Sequence, residues 1–318
     1  MLDLLENSFL LSTIYIGIAK NIFNIVYKNQ PIKKQKLLSN ISYDSKYIEH
    51  WLDCAYSNKL IQYNDKNITL TKNGEKYVLD LSDNYEIIKV LRAIYCIIIT
   101  NKSLEMFDNK LTTDYSIILG NEFKQLIPFY KLINQETHYK IAKKYIIKNT
   151  NITSLLSNKS IIIDYGCGSE WFLKMLISEY PNNKYIGIDD EKIIKNIQEN
   201  LEYSLISYND NLPKYDVLFL NRVVHHLGEK RIAVLKSIIE KMNENANIII
   251  WDFNWKKEKS TNFREMSFLN LIEYIQGNNF IELNCILKEL KQLKLQTQHI
   301  LINNSQDFVI IAKRYMSK

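Results

Sequence analysis

Short apolar runs alternate with amphipathic segments through the second half of the chain. Runs of strand length lie at 161–163, 185–188, 215–220, 247–251, 297–302 and 307–312. Three successive β-branched residues at 161–163 suit a strand that is buried on both faces, as in a parallel sheet covered by helices. The segment 171–177, which follows, has helical apolar spacing. The pattern therefore predicts an α/β domain, which we place at 151–318.

The N-terminal part of the chain has a different pattern. Helical spacing marks three segments, at 12–26, at 33–40 and after a cap at Asp44 or Ser45. The third helix has one apolar face, formed by Tyr47, Ile48, Trp51, Leu52 and Ala55. Two alternating segments, 60–63 and 67–71, then flank the turn residues Asn64 and Asp65 and predict a hairpin. Three helices followed by a hairpin indicate a mainly helical winged-helix domain at 1–83.

The stretch at 84–150 lies between these two domains. Its apolar spacing predicts helices at 85–99, 122–132 and 136–148. Met106, Phe107, Phe129 and Tyr130 are its candidates for lining a pocket, although side chains of this type in a helical linker are more often plain core. We expect a helical linker here.

An acidic residue and two glycines follow the apolar run at 161–163. Asp164, Gly166 and Gly168 stand just before the helical segment. Glycines let the backbone turn tightly and lie close to a ligand, and the free N–H groups at a helix start attract anionic groups. Asp189 ends the next strand, where an acidic residue binds ribose hydroxyls in dinucleotide folds. Alone, Asp164 is a helix cap and Asp189 a turn residue; together, in register, they indicate a cofactor site.

Composition is that of an ordinary globular protein. The chain has 318 residues, 46% hydrophobic and 24% charged, which is enough for two packed domains. The net charge of +6 is modest. The lysine clusters are scattered along the chain, and each is expected to lie on a solvated face. Four widely spaced cysteines, without a paired motif, fit reduced thiols in a cytoplasmic protein and indicate no metal site. The apolar stretches 9–19 and 87–99 are too short or too interrupted by charge to predict a membrane span.

The order of these motifs resembles that of a known enzyme class. The glycine motif, Asp189, the strand at 215–220 and the pair His225-His226 are similar to those of class I S-adenosylmethionine-dependent methyltransferases. The closest resemblance is to small-molecule O-methyltransferases with an N-terminal winged-helix dimerisation domain, and it covers nearly the whole chain. It implies a Rossmann-like, doubly wound sheet with an antiparallel last strand. It also implies that the linker at 84–150 shapes the acceptor pocket.

The resemblance assigns cofactor residues. Asp164, Gly166 and Gly168 would approach the methionine part of S-adenosylmethionine, Asp189 would bind the ribose, and Asp210 would face the adenine. One position departs from the family pattern, because Glu170 stands where a third glycine is usual. A carboxylate turned outward at the helix start suits the helix dipole, whereas one turned inward would repel the carboxylate of the cofactor.

The resemblance also points to a catalytic base. Methyl transfer to a hydroxyl requires that the acceptor lose its proton, and His225 matches the position of the base. His226 replaces an Asp of the family pattern, and a structural role for both histidines is the plain alternative. Asp252, directly after the strand at 247–251, is placed to steer His225, and Glu282 is a possible second carboxylate.

We therefore expect a cytoplasmic methyltransferase that uses S-adenosylmethionine, accepts a small-molecule hydroxyl and forms a homodimer through its N-terminal domain, with no nucleic-acid or membrane partner. The family suggests secondary metabolism. Alternatives are an N-methyltransferase, a non-methylating relative with the same fold and a winged-helix DNA-binding regulator. The last is disfavoured because the third helix carries acidic residues beside basic ones and no arginine, whereas duplex affinity depends on phosphate neutralisation.

Overall fold

The computed structural model describes most of the chain. The described residues are 2–41, 44–78, 93, 138–156, 159–168, 170–195, 197, 202–255, 267, 270, 273, 278, 280–302 and 306–315. The chain divides into two compact units, residues 1–99 and 100–318. The boundary predicted at 83/84 lies outside the described residues, so the division into three parts stays a prediction. The predicted helices at 85–99 and 122–132, with Met106, Phe107, Phe129 and Tyr130, also lie outside them.

The first unit combines helices with a small sheet. Its elements are α1 (Leu2–Ala19), α2 (Ile22–Asn29), β1 (Ile32–Lys33), α3 (Lys34–Ser39), α4 (Ser45–Ser57), β2 (Ile61–Asn64), β3 (Asn67–Leu70) and α5 (Lys72–Glu75). The strands form an antiparallel sheet in the order β1-β3-β2. Helices followed by the hairpin β2–β3 give the predicted winged-helix arrangement.

The prediction of one helix over 12–26 was wrong. The structure has two helices, and the chain turns between them at Asn21, whose φ of 57° is left-handed. Asparagine tolerates this conformation because its short polar side chain bonds locally, and here Asn21 Oδ1 accepts a hydrogen bond from Asn24 Nδ2 at 2.7 Å. Apolar spacing continues through the turn, so periodicity alone did not reveal it.

Helix α4 begins and packs largely as expected. Asp44 caps it by accepting a hydrogen bond from Tyr47 N at 2.8 Å. The buried residues of the helix are Ile48, Trp51, Leu52 and Ala55. Trp51 Nε1 donates to the carbonyl oxygen of Thr13 at 2.9 Å, which ties α4 to α1. The predicted apolar face was wrong at Tyr47, which is 46% exposed.

The described helices include no single membrane span. None of them alone combines the length and the hydropathy that a span requires, and α1 with α2 meets both criteria only as a pair bent by 70°.

The second unit is built on a large sheet. Its elements are α6 (Tyr139–Ala142), a π-helical turn (Lys143–Ile147), α7 (Thr150–Leu156), β4 (Ile161–Tyr165), α8 (Trp171–Glu179), β5 (Lys184–Asp189), α9 (Glu191–Ile194), β6 (Ser204–Ser207), β7 (Tyr215–Asn221), 3₁₀ turns (Val224–His226 and Gly228–Lys230), α10 (Arg231–Glu240), β8 (Met242–Phe253), α11 (Leu283–Gln292), β9 (Leu295–Ile302) and β10 (Asp307–Arg314). The sheet order is β6-β5-β4-β7-β8-β10-β9, parallel except for β10, which is antiparallel to both neighbours. The predicted Rossmann-like, doubly wound α/β fold is confirmed.

Apolar cores cover both faces of this sheet. Ile162 and Ile163 of β4 are fully buried and belong to two different core clusters, as alternate residues of a doubly covered strand should. Strand β6 was not predicted, because it lies at the sheet edge with only partial burial and has no apolar run. The helix predicted at 136–148 is, over its described residues, α6 followed by the π-helical turn.

Strands β4, β5, β7 and β8 are parallel neighbours, so their carboxyl ends lie at one edge of the sheet. Asp164, Asp189, Asn221 and Asp252 stand at or near those ends. Ligands of open α/β sheets bind at this edge. The topology therefore assembles most of the predicted site residues in one region.

Candidate active site

The glycine loop between β4 and α8 needs glycine for two different reasons. Gly166 has a φ of 81°, and a Cβ added there would lie 2.3 Å from Val223 Cγ2, so a side chain has neither a relaxed backbone nor space. Gly168 has a φ of 52°, but a Cβ there would meet none of the described residues within 4 Å. The backbone N–H of Gly166 donates to the Ile188 carbonyl oxygen at 2.7 Å, which fixes the loop to β5. Among the described residues, none fills the space over Gly168.

The structure brings Asp189 to this loop. Its carboxylate is buried, and Oδ2 accepts a hydrogen bond from Gly168 N at 2.7 Å while Oδ1 accepts one from Asp190 N at 2.7 Å. Burial raises the pKa of Asp189, although the hydrogen bonds from Gly168 and Asp190 oppose the shift. The two motifs that were matched by spacing are thus in direct contact.

Asp164 is buried beneath the loop with a partner that sequence reasoning missed. Asn221, at the end of β7, donates from Nδ2 to Asp164 Oδ1 at 3.2 Å. Burial raises the pKa of Asp164 to about 7; the bond from Asn221 lowers it and the charge of Asp189 raises it. A pairing of β4 with β7 in the sheet is what brings these residues together.

We expect Asp164→Asn to stabilise the protein free of ligand, and more so at high pH. The pKa of Asp164 is about 7 when folded against an ordinary 3.8, so ionisation opposes folding. This destabilisation by ionised Asp164 is absent below about pH 4 and grows between pH 4 and 7. Above pH 7 it lowers the free energy of unfolding by at most about 4 kcal/mol. Thermal unfolding at pH 5 and pH 8 measures it. A variant whose gain in midpoint is the same at both pH values would contradict this. Asp210→Asn, at an exposed position, is the matched control.

Glu170 occupies a backbone position that favours glycine. Its φ is 61°, at the residue that precedes α8. The side chain is 8% exposed at the residue level, and its carboxylate is paired: Oε2 contacts Lys174 Nζ at 2.9 Å, and Oε1 accepts a hydrogen bond from the Tyr203 hydroxyl. Its charge is therefore offset within the protein, which removes much of the expected repulsion of an anionic ligand group.

Asp210 does not join the buried cluster. It is exposed in the turn after β6, and its Oδ2 accepts a hydrogen bond from Ser207 N at 2.7 Å. The carboxylate thus closes its own turn, which is a common local role of aspartate. Its contact with an adenine ring stays a prediction.

His225 and Asp252 form a buried pair at the neighbouring strand ends. The His225 ring nitrogen Nδ1 lies 2.7 Å from Asp252 Oδ1, and the His225 backbone N–H donates to Asp252 Oδ2 at 3.1 Å. Both side chains are 2% exposed. An anionic Asp252 holds the tautomer in which Nδ1 carries the proton, so Nε2 presents a lone pair.

The electrostatics favour this pair. Burial on its own would lower the pKa of His225, but the charge of Asp252 and its hydrogen bond outweigh burial, and the pKa is raised. Burial would raise the pKa of Asp252, but the charge of His225 and its hydrogen bond outweigh burial, and the pKa is lowered. Each group thus stabilises the charged form of the other, as in general base sites.

A second carboxylate near His225 is Glu273, not Glu282. Glu273 Oε2 lies 3.8 Å from His225 Nε2. Glu282, which the sequence left as a candidate, is exposed immediately before α11. No sequence signal distinguished Glu273, because it lies in a segment that no motif marks.

Aromatic side chains pack around the ring of His225. Phe253 and Phe280 both lie edge-on to it, with ring centroids at 5.7 and 5.4 Å. The guanidinium of Arg222 lies 3.6 Å from the centroid of the Phe253 ring and forms a buried ion pair with Asp307 at 2.6 Å. These contacts restrict the imidazole to one orientation. Sequence reasoning found none of these residues.

Comparisons with known proteins find similarity to O-methyltransferases. Residues 126–282 match the family model of the O-methyltransferase domain. The O-methyltransferase 7 of Dictyostelium discoideum is 25% identical over 205 residues, which are 62% of this chain and 58% of that protein. The chain spans less than two thirds of the length of the curated relatives that it matches.

Solved structures share the fold at low identity. An O-methyltransferase family protein from Burkholderia thailandensis has a TM-score of 0.74 and 11% identity, with 100% of this chain and 98% of that one covered. Human N-acetylserotonin methyltransferase, solved in complex with S-adenosylmethionine, has a TM-score of 0.67 and 13% identity, with 98% and 96% covered. These likenesses establish the fold of both units.

Proposed function

We propose that this chain, whose residues 126–282 match the family model of the O-methyltransferase domain, transfers the methyl group of S-adenosylmethionine to a hydroxyl of a small organic molecule. The observation that carries the proposal is the buried His225–Asp252 pair, which stands at the same sheet edge as the glycine loop. A base and a cofactor loop at one edge are what methyl transfer to a hydroxyl needs.

The residues of the glycine loop suit the cofactor. The space over Gly168 would let a ligand lie close to the backbone. The buried carboxylates of Asp189 and Asp164 suit ribose hydroxyls and a cationic ammonium group. Bound there, S-adenosylmethionine supplies a methyl group on a positively charged sulfur. The pairing of Glu170 with Lys174 and Tyr203 supports this assignment.

His225 takes the role of general base. Its Nε2 would accept the proton of the acceptor hydroxyl when the methyl group is transferred to the hydroxyl oxygen. Asp252 stabilises the imidazolium that results, and the rings of Phe253 and Phe280 keep the imidazole oriented. The proton then leaves Nε2 to solvent after the methylated product departs.

Titration calorimetry tests the cofactor site. We expect saturable one-to-one binding of S-adenosylmethionine and of S-adenosylhomocysteine to the full chain. Asp189→Asn should weaken both by about 10- to 100-fold, because a hydrogen bond to a charged group contributes about 1.5–3 kcal/mol. Asp190→Asn is the matched control: Asp190 is exposed and caps α9 through Lys192 N at 2.8 Å, which asparagine can also do.

Two results would contradict the proposal. If the unchanged chain bound neither S-adenosylmethionine nor S-adenosylhomocysteine, the chain would not use this cofactor. Equal affinity of Asp189→Asn and the unchanged chain would place the cofactor elsewhere.

Pairing of two copies through the N-terminal unit is also part of the proposal. A surface cavity of about 700 Å³ in this unit is lined in part by Phe9, Tyr47 and Trp51. Phe9 is 59% exposed and Tyr47 is 46% exposed. Large exposed aromatic side chains around a concavity are typical of protein interfaces. They support a homodimer, as the family resemblance implies.

A further inference from the structure

We propose that His225, His226 and Glu273 form a binding site for a transition-metal ion of the Zn²⁺ type, and that the bound ion inhibits methyl transfer by occupying Nε2 of His225. The binding itself does not depend on the proposed function, whereas the inhibition rests on it. His225 and His226 lie in the 3₁₀ turn after β7, and Glu273 lies in a separate segment of the chain.

The three ligand atoms lie close enough for one ion. One nitrogen of each imidazole and one carboxylate oxygen all fall within 4.8 Å of one another. The two rings have centroids 4.0 Å apart, and His225 Nε2 lies 3.8 Å from Glu273 Oε2. Zinc–nitrogen and zinc–oxygen distances of about 2.0–2.2 Å in a tetrahedron place ligand atoms about 3.3–3.6 Å apart. A contraction of about 1 Å, within reach of side-chain rotation, therefore completes the site.

Each ligand already has a partner that orients it. Asp252 Oδ1 accepts the hydrogen bond of His225 Nδ1, so the lone pair of Nε2 points away from Asp252 and can bind a metal ion. Asn278 Nδ2 donates to Glu273 Oε2 at 3.0 Å, and its side chain also bonds to the ring of His226. Metal sites in proteins commonly have a carboxylate behind a ligating histidine and hydrogen bonds behind a ligating carboxylate. The cluster thus has the outer support that a built metal site has.

The exposure of the ligands suits access and exchange of an ion. His225 is buried and Glu273 has a side chain that is 19% exposed, while His226 is on the solvent side. Three protein ligands leave a fourth tetrahedral position for water. Two imidazoles with one carboxylate select ions such as Zn²⁺ over Mg²⁺, which prefers oxygen ligands.

Occupancy would remove the base. A metal ion on Nε2 takes the lone pair that would accept the proton of the acceptor hydroxyl, so the two uses of this atom exclude each other. His226 belongs only to the metal site and not to the base. The chain therefore offers a variant, His226→Gln, that separates metal binding from catalysis.

Calorimetric titration of the full chain with Zn²⁺ and, separately, Mg²⁺ tests the site. We expect one Zn²⁺ per chain, no detectable Mg²⁺ binding, and a Zn²⁺ affinity at least about 100-fold lower in His226→Gln, since loss of an outer-shell partner alone costs about 10- to 100-fold. His299→Gln, an exposed histidine on β9, is the matched control and should bind as the unchanged chain does. Cys54→Ser with Cys285→Ser removes two exposed thiols and should also leave binding intact.

Activity gives the second readout. With S-adenosylmethionine and an accepted hydroxyl compound, Zn²⁺ should inhibit the unchanged chain, and a chelator should restore turnover. His226→Gln should keep its basal turnover and need about 100-fold more Zn²⁺ for the same inhibition. Circular dichroism checks that the variant is folded.

Three outcomes would overturn the inference: no Zn²⁺ binding, equal binding by His226→Gln, or Zn²⁺ binding that leaves turnover unchanged. If the chain showed no methyl transfer under any condition, the proposed function would fail, and the titrations would still decide the metal site. The two failures are therefore distinguishable.

Discussion

His225→Gln should lower the kcat of methyl transfer by about 10²–10⁴-fold, the usual contribution of a general base. Glutamine has a hydrogen-bonding side chain of similar reach but no group that accepts a proton near neutral pH. The affinity for S-adenosylmethionine should stay within about twofold, because the residues assigned to the cofactor lie on β4, the glycine loop, β5 and the turn after β6, and not beside His225. Steady-state kinetics and calorimetry on the same preparations measure the two effects.

His299→Gln is the control, since it makes the same change at an exposed position on β9. Near-normal turnover of His225→Gln towards a hydroxyl acceptor would refute base catalysis by this residue. His225→Gln also distinguishes a hydroxyl acceptor from an amine acceptor. A neutral amine attacks without prior loss of a proton, so an N-methyltransferase would lose little turnover.

Asp252→Asn should produce the second large loss, about 10²-fold or more in kcat, together with reduced stability. The two oxygens of Asp252 accept bonds from three N–H donors: the ring and backbone of His225 and the backbone N–H of Phe253. Either orientation of an asparagine amide turns its NH₂ group towards at least one of those donors. If that group faces Nδ1, the ring takes the tautomer with the proton on Nε2, which cannot act as the base.

The stability loss should be about 1–3 kcal/mol, the usual cost of leaving a buried donor unpaired. Denaturant unfolding measures it. A double-mutant cycle with His225→Gln gives the internal control for activity. Since Asp252 acts through His225, the double variant should be no slower than His225→Gln alone. Additive losses in kcat would mean that Asp252 contributes independently, against this assignment.

Local patterns were sufficient for much of the fold and for one half of the site. The glycine loop, the strand before it and the helix after it are contiguous, so their order in the sequence matches their order in space. The β-branched run at 161–163 indicated burial on both faces, which the structure has. Asp252 directly follows an apolar run, and its place beside His225 was expected from the resemblance to the O-methyltransferases.

The sequence failed where a position depends on a side-chain contact that no periodic pattern encodes. Helical spacing runs on through Asn21, yet the chain turns there because a left-handed residue is stabilised by Asn24. Glu273 and Glu282 are both acidic residues near the end of the same stretch of chain, and only the packing of that stretch decides which one reaches His225. The predicted contact of Asp210 depends on loop geometry that no pattern encodes.

By itself, the sequence determined the α/β class and the winged-helix unit, and it placed the glycine loop and Asp189 at the ends of two strands. These features are set by periodicity and by backbone conformations that few residues accept, both of which are local. The role of His225 came from the resemblance to the O-methyltransferases and stays a prediction. Only the tertiary structure decided that Asn221 bonds Asp164, that Tyr203 bonds Glu170, and that Glu273 stands beside His225 and His226. Those pairings arise from strand order and side-chain packing across the sheet, where distance along the chain carries no information.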